Sequence, residues 1–301
     1  MVNPNRKNRA ASRTAAVTTT TGVPSRSRRL SFGVVLVVLA AGCAGPPATG
    51  GPAGSASATR GSSATVSAVP RRVTAPCLQP LAAVAAAEPA PAGRPPGGYE
   101  VVSVRGWYAD DTLNPVGRSS RVIRQVESRT WRAADGSGRM LLLSPDGGQS
   151  ASRLGPGGLP AALPEPMTTD VDVIATHLSA VTPPANGPHW VIEGVTDVYR
   201  RQVPPPSVRA ALMRMLSTSD SVTCRGVVKD RAGRRGTAVA VDHDKVRYQI
   251  VFAGDGWPLA AWEEQLGPPP GMPPDAERIR SYELFLTHTF TTTIDNPETL
   301  P

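Results

Sequence analysis

The stretch that decides the fold covers residues 206–266, PSVRAALMRMLSTSDSVTCRGVVKDRAGRRGTAVAVDHDKVRYQIVFAGDGWPLAAWEEQL. Its first part predicts a helix, because Ser207 can cap an N-terminus and apolar residues then recur at helical spacing on one face. Four runs with strand character follow, bounded by polar and glycine-containing turns. They span 221–228, 236–242, 246–253 and 257–266. A helix packed on an antiparallel meander is therefore the expected centre of the fold.

Further elements are predicted on both sides of this stretch. Upstream, the pattern predicts three strands, a loop at 145–166 and two helices, and downstream it predicts one last strand. The strands are expected at 100–108, 121–132, 139–144 and 279–294, and the helices from Thr168 or Thr169 onward and at 189–201. The order of three strands, three helices and five strands predicts an α+β fold with an antiparallel sheet of about eight strands.

Residues 1–43 have the composition of an export signal, with a basic first part and a short apolar run at 30–42. A bilayer-spanning helix needs roughly 20 apolar residues. The segment at 39–43 resembles the lipobox of bacterial lipoproteins, in which the cysteine carries a diacylglycerol, although Ala40 occupies the position where leucine is usual. Two alternatives stay open: lipidation at Cys43, or a single N-terminal membrane anchor. Both place the rest of the chain on the outer face of the membrane.

Residues 44–97 are rich in proline, glycine, alanine and serine, which predicts a disordered tether. A short helix at 81–88 is the one exception considered, and a single globular domain is expected at 98–301. Of the formal charge of +8, residues 1–98 contribute +10 and residues 99–301 contribute −2, so the predicted domain is close to neutral. Because recognition of nucleic acids needs a basic face on a folded domain, we expect no nucleic-acid partner.

The cysteines predict a disulfide. If Cys43 carries lipid, Cys77 and Cys224 remain as an even pair in an oxidising compartment. We therefore expect a bridge between them that pins the end of the tether to the strand after the third helix. The alternative is two free thiols.

Several local motifs carry a family resemblance across about residues 100–295. They are Arg129-Thr130-Trp131, the turn at 135–139, Leu159-Pro160, and the segments 207–212, 230–234 and 250–259. With them the chain resembles a large actinobacterial family of uncharacterised membrane-anchored surface proteins and lipoproteins. The same layout is similar to the half-barrel of the lipoprotein carriers LolA and LolB and of the periplasmic regulator RseB. This resemblance implies a curved antiparallel sheet that wraps the helices and can hold acyl chains between them.

The sequence contains no HExxH, Cys-x-x-Cys or Gly-x-Ser-x-Gly motif. We therefore expect no catalytic activity, no metal and no cofactor. Apolar runs at 140–143 and 282–290 instead suggest the lining of a cavity, although tryptophan residues can equally fill a core and His288 can be a hydrogen-bonded structural residue. The residues expected to line the cavity are Leu141, Leu143, Trp190, Tyr282, Leu284, Leu286, His288 and Phe290.

Two functions are consistent with these patterns. The first is a membrane-tethered, extracytoplasmic lipoprotein that binds a lipid, another amphiphile or an acyl chain without catalysis. The alternative is a cell-surface sensor or regulatory partner, similar to RseB, that binds another protein. That alternative requires an exposed apolar patch or an unpaired edge strand.

Overall fold

The computed structural model describes residues 73–89, 93–113, 119–269, 271–274 and 276–294. No helix within these ranges has the length and apolar character needed to cross a bilayer. The predicted export signal at 1–43, with Cys43, lies outside the described residues.

Four α-helices and nine strands make up this part of the chain. The helices are α1 (Gln79–Ala87), which follows a 3-10 turn at Pro76–Leu78, α2 (Val171–Val181), α3 (Trp190–Arg201) and α4 (Pro206–Thr218), with a second 3-10 turn at Pro184–Asn186. The strands are β1 (Tyr99–Leu113), β2 (Ser119–Arg132), β3 (Gly138–Leu143), β4 (Gln149–Leu154), β5 (Thr223–Lys229), β6 (Arg235–His243), β7 (Val246–Phe252), β8 (Pro258–Gln265) and β9 (Ile279–Thr291).

All nine strands form one antiparallel sheet in the order β4-β3-β2-β1-β9-β8-β7-β6-β5, which is not closed into a barrel. Two meanders, β1 to β4 and β5 to β9, are joined where the last strand pairs with the first. The prediction of an α+β fold with an antiparallel sheet is confirmed. The sheet has one strand more than expected, because β4 falls within the predicted loop at 145–166. This edge strand is exposed along nearly its whole length, so it has no buried face and no apolar alternation in its sequence.

The helices cover one face of the sheet and share a single core with it. Buried residues of α1, α2, α3 and α4 pack with Val102, Val104, Ile250, Phe252 and Phe285 of the strands. Ten of the thirteen residues of α4 are buried, so this helix is enclosed on almost all sides. The opposite face carries three smaller clusters built from strand residues together with Ala253 and Ile294.

The packed structure begins earlier than the predicted boundary at Gly98. Leu78, Leu81 and Ala85 are buried in the same core as α4, and the hydroxyl of Thr74 donates to the carbonyl of Ser217 at 3.1 Å. Residues 73–89 of the predicted tether are therefore packed on the domain, and the short helix considered at 81–88 corresponds to α1. The average composition of residues 44–97 is typical of a disordered segment, because the few apolar residues of this short helix contribute little to it.

The predicted disulfide between Cys77 and Cys224 is present, with the two Cα atoms 6.1 Å apart. It joins the turn before α1 to the first residues of β5. The N-terminal segment is thus held covalently to an edge of the sheet.

Candidate functional site

An apolar hollow of about 240 Å³ opens where several parts of the chain meet. They are the start of β1 with the segment before it, the loop that precedes α2, the linker between α3 and α4, the turn between β7 and β8, and the end of β9. Its lining consists of Gly93, Arg94, Glu100, Glu165, Pro166, Met167, Val203, Pro204, Pro205, Trp257 and Phe290.

The linker and the loop are fixed against each other by Gln202, which is fully buried at the end of α3. Its side-chain oxygen accepts from the backbone N–H groups of Ala162 at 3.0 Å and Leu163 at 2.8 Å, and its amide donates to the carbonyl of Leu163 at 2.9 Å. Pro204 and Pro205 follow, and neither has a backbone N–H. At Pro204 and Pro205 the wall of the hollow therefore offers apolar surface and no backbone donor.

A network of two arginines and two glutamates closes one end of the hollow. Arg94 holds Glu165 in a bidentate contact at 2.9 and 3.1 Å and reaches Glu100 at 3.0 Å. Arg132 contacts Glu100 at 2.8 Å and Glu165 at 2.6 Å. The formal charges cancel, which is what a group of ions withdrawn from water requires.

The pKa values of the two carboxylates of this network shift in opposite directions. Burial raises the pKa of Glu100, whose side chain is only 3% exposed, and the two arginines and the N–H of Val203 offset only part of that effect. Burial acts in the same direction on Glu165, but hydrogen bonds from Arg94 and Arg132 outweigh it and lower the pKa of that group. Glu165 is the most exposed member of the network at 31%, so it is the carboxylate that an incoming polar group meets first.

A buried arginine lies behind Trp257. The guanidinium of Arg209 stacks over the indole ring, 4.1 Å from its centroid, and the side chain is fully buried. It forms an ion pair with Glu88 at the end of α1 and donates to the carbonyl of Asp255 at 3.0 Å. Arg209 therefore links α1, α4 and the β7–β8 turn, and it packs against one face of the Trp257 ring.

His288 completes the surroundings of Trp257, with the two ring centroids 5.0 Å apart. Its Nε2 atom is 2.8 Å from the carbonyl oxygen of Tyr199. A carbonyl can only accept, so Nε2 carries the proton. Burial lowers the pKa of His288 to about 4, the bond to Tyr199 opposes this, and the charge of Arg209 adds to it. The ring is therefore neutral at physiological pH, as expected for a structural histidine.

A second cleft, of about 270 Å³, lies between α3 and strands β7 to β9 and is polar. Arg200 contacts Glu283 at 2.6 Å and Arg201 contacts Asp197 at 3.0 Å. Burial raises the pKa of the remaining carboxylate on α3, that of Glu193. This cleft offers charges that are largely paired within the protein, whereas the hollow offers apolar walls. No group of three or more histidine, cysteine, aspartate or glutamate side chains suited to a metal ion occurs among the described residues.

The residues predicted to line one cavity do not lie together. Leu141 and Leu143 pack with Val101 and Trp131 on the face of the sheet that has no helices. Tyr282 and Leu284 lie on that same face with Ala260, and Leu286 is exposed. Trp190 packs against the helix–sheet core outside the hollow, and His288 contacts the Trp257 ring. Of the eight residues, only Phe290 is in the lining of the hollow.

A β-bulge explains why the residues of the last strand that were predicted to line one cavity do not share a face. Ser103 pairs with Thr287 and the next residue of β1 pairs with Phe285, so Leu286 has no partner in the ladder. An extra residue reverses the alternation of faces beyond it. Tyr282 and Leu284 therefore face away from the helices, whereas Phe285, His288 and Phe290 face toward them.

Sequence reasoning missed most of the hollow, including Arg94, Glu165 and Met167, whereas Trp257 was one of the tryptophans for which both a cavity and a core position were open. One usable signal was present at Glu100. It shares its face of β1 with Val102 and Val104, so its carboxylate had to point toward the core, where a charge needs partners. The partners themselves come from distant parts of the chain and leave no local pattern.

Comparison of the sequence with protein-family models and with curated proteins finds no match to either.

Proposed function

We propose that this chain is an exported, membrane-tethered binding protein, without catalytic activity, that holds the apolar end of an amphiphile in the hollow beside Trp257. The observation that carries the proposal is the combination of apolar walls with a charge-neutral polar network at one end. Binding sites for small ligands commonly combine apolar surface with a few polar groups that fix orientation.

The size of the hollow limits the ligand. An apolar cavity of about 150 Å³ holds benzene, and pockets for larger organic ligands begin at about 300 Å³. At about 240 Å³ the hollow accommodates one short alkyl tail or a single ring. A complete diacyl lipid does not fit, so such a molecule would insert only the end of a chain.

The network provides a place for the polar end of the ligand. Arg94 and Glu165 are more exposed than Glu100 and Arg132, so a head group at the mouth meets one donor side chain and one acceptor side chain. The disulfide supports the proposed location of the protein outside the cytoplasm, because stable disulfides are typical of oxidising compartments.

Calorimetric titration of the exported protein with octanol, octanoate and octylamine tests the proposal. We expect saturable binding of the octyl compounds, and about a tenfold loss of affinity in Met167→Trp, whose indole fills the hollow. The matched control is Met140→Trp on β3, outside the hollow, which should bind like the unaltered protein. Absence of saturable binding for all three compounds, or equal affinity in both variants, would refute an amphiphile site here.

The alternative function, a sensor or regulatory partner that binds another protein, is favoured by a different observation. The edge strand β4 has no neighbour on its outer side within the described ranges. This edge offers backbone groups for pairing that do not depend on the hollow.

A further inference from the structure

The two edges of the sheet differ in how easily another strand can add to them. At one edge, β5 has a bulge between Cys224 and Gly226, and Cys224 is held by the disulfide. A bulge twists an edge and hinders its pairing with another chain. At the other edge, β4 keeps a regular register with β3 over its whole length, contains no proline and is exposed from Gln149 to Arg153. Within the described ranges, β4 is therefore the edge that can accept a further strand.

The hydrogen-bond phase of the ladder identifies the backbone groups that β4 presents outward. The N–H of Ser144 donates to the carbonyl of Gly148 at 2.8 Å, so this pair at the hairpin end is hydrogen-bonded. Bonded and non-bonded pairs alternate in an antiparallel ladder. It follows that Gln149, Ala151 and Arg153 belong to non-bonded pairs and direct their N–H and C=O groups away from β3.

The side chains of β4 match those of a second copy of the same strand. Its exposed part reads Gln-Ser-Ala-Ser-Arg over residues 149–153, so small residues occupy the middle and the single charged residue stands at one end. Two such strands, antiparallel about a two-fold axis at Ala151, place Gln149 of each copy opposite Arg153 of the other. The amide oxygen can accept from the guanidinium, and no like charges face each other across the axis.

The hydrogen-bond phase and the charge select this register over its neighbours. With the axis at Ala151, every outward-facing residue of one strand meets an outward-facing residue of the other, so each pair can exchange N–H···O bonds. An axis at Ser150 or Ser152 moves one of these residues beyond the end of the other strand. An axis at Arg153 sets two arginines directly opposite each other, which destabilises a strand pair.

The face that carries Ala151 favours the same arrangement. Ala151 lies opposite Leu141 of β3 and shares its face, and Leu141 packs with Val101 and Trp131 on the side of the sheet without helices. Pairing at Ala151 brings two small apolar side chains together next to this cluster in both copies. The apolar stripe then continues from one sheet into the other.

We propose that β4 pairs with β4 of a second copy of this chain, antiparallel about a two-fold axis at Ala151, so that the two sheets become continuous. Interfaces with two-fold symmetry are the commonest in homo-oligomers. A pair of short strands buries less area than the roughly 1,200–2,000 Å² of a stable interface, so we expect a weak dimer that dissociates on dilution. The proposal goes beyond the ligand function and does not depend on the hollow.

Two measurements on the full chain test the pairing. Sedimentation velocity between about 1 μM and about 1 mM should show a shift from monomer to dimer. Hydrogen exchange measured by NMR should show slower exchange of the Gln149, Ala151 and Arg153 N–H groups at high concentration only. A monomer at every concentration would overturn the proposal. Slow exchange of these groups at every concentration would overturn it as well, because a segment of the same chain would then cover the edge.

A pair of charge variants separates strand pairing from association through another surface. Ala151→Glu sets two carboxylates directly opposite each other at the axis and should abolish the dimer. Ala83→Glu, the same change at an exposed site on α1, should leave it unaffected. A dimer that persists in Ala151→Glu would refute pairing through β4.

A cysteine placed at the axis tests the register. In Ala151→Cys, the two equivalent Cα atoms should lie about 5.5 Å apart across the axis, a distance that a disulfide spans. Ser150→Cys is the matched control, because its equivalent in the other copy lies diagonally across the pair, about 7–8 Å away. Under mild oxidation we expect about tenfold more intermolecular disulfide in the first variant than in the second or in the unaltered chain. Equal crosslinking of the two variants would contradict an axis at Ala151.

An exchange of the two end residues tests whether each copy recognises its own sequence. Gln149→Arg sets an arginine opposite Arg153 of the other copy, twice in each dimer, and we expect about tenfold weaker dimerisation. The double variant Gln149→Arg/Arg153→Gln again places an amide opposite a guanidinium and should dimerise like the unaltered protein. A double variant as weak as the single one would show that residues 149 and 153 do not meet across the axis, and the proposal would fail.

Discussion

At the scale of single residues, the surroundings of Trp257 link the hollow to the core. Arg209 and His288 lie against its ring, and both are held by backbone carbonyls, those of Asp255 and Tyr199. The hydroxyl of Tyr199 and the Nε atom of Arg209 are buried without a hydrogen-bond partner among the described residues. An additional positive charge on the His288 ring is therefore unfavourable here.

The lowered pKa of His288 predicts that the stability of the folded protein depends on pH. This pKa is about 4 in the folded protein and about 6.5 when unfolded, so the unfolded state binds the proton first as pH falls. The free energy of unfolding should therefore decrease by about 3 kcal/mol between about pH 6.5 and pH 4 through this group. Urea unfolding across this range measures the effect.

His288→Gln provides the control, because glutamine keeps an N–H donor for the Tyr199 carbonyl and does not titrate. We expect this variant to lose less stability than the unaltered protein as pH falls toward 4. Parallel curves for the two proteins would show that another group causes the acid sensitivity.

At the scale of elements, α1 and the disulfide determine where the domain starts. The turn before α1 is linked to β5, and α1 itself lies on α4. The bridge closes a loop across 147 positions of sequence, and a loop of that length contributes about 5 kcal/mol in the chain-entropy treatment.

Replacing Cys77 and Cys224 together by alanine should therefore lower the free energy of unfolding by about 2–5 kcal/mol. Chemical unfolding under oxidising conditions measures the loss. Adding reductant should destabilise the unaltered protein by a similar amount and leave the variant unchanged. Equal stability of the two proteins without reductant would contradict a stabilising role for the bridge.

At the scale of the whole molecule, one core unites segments that are far apart in the sequence. Residues near 78, 102, 212 and 285 are buried together, so no part of the described chain forms this core alone. The hollow has the same character, because its walls come from five separate segments.

A comparison of two fragments tests the start of the folded domain. A fragment of residues 98–301 should be several kcal/mol less stable than one of residues 73–301, since it lacks Leu78 and Leu81, each worth about 1.5–3 kcal/mol when buried. Urea unfolding gives the difference. The longer fragment with both cysteines replaced by alanine isolates the packing of α1 from the disulfide. Unfolding of the 98–301 fragment at the same urea concentration as this control would refute a role for α1.

The sequence by itself determined the helices, most strands, the fold class and the disulfide partners. Helix periodicity, turn residues and cysteine parity are carried by residues that are neighbours in the chain or few in number. The tertiary structure decided what local patterns do not encode. One unpaired residue, Leu286, reverses the faces of β9, and β4 has no apolar alternation because it lies at an edge. The Arg–Glu network and the hollow depend on long-range contacts, such as that of Arg94 with Glu165, so only the folded chain brings them together.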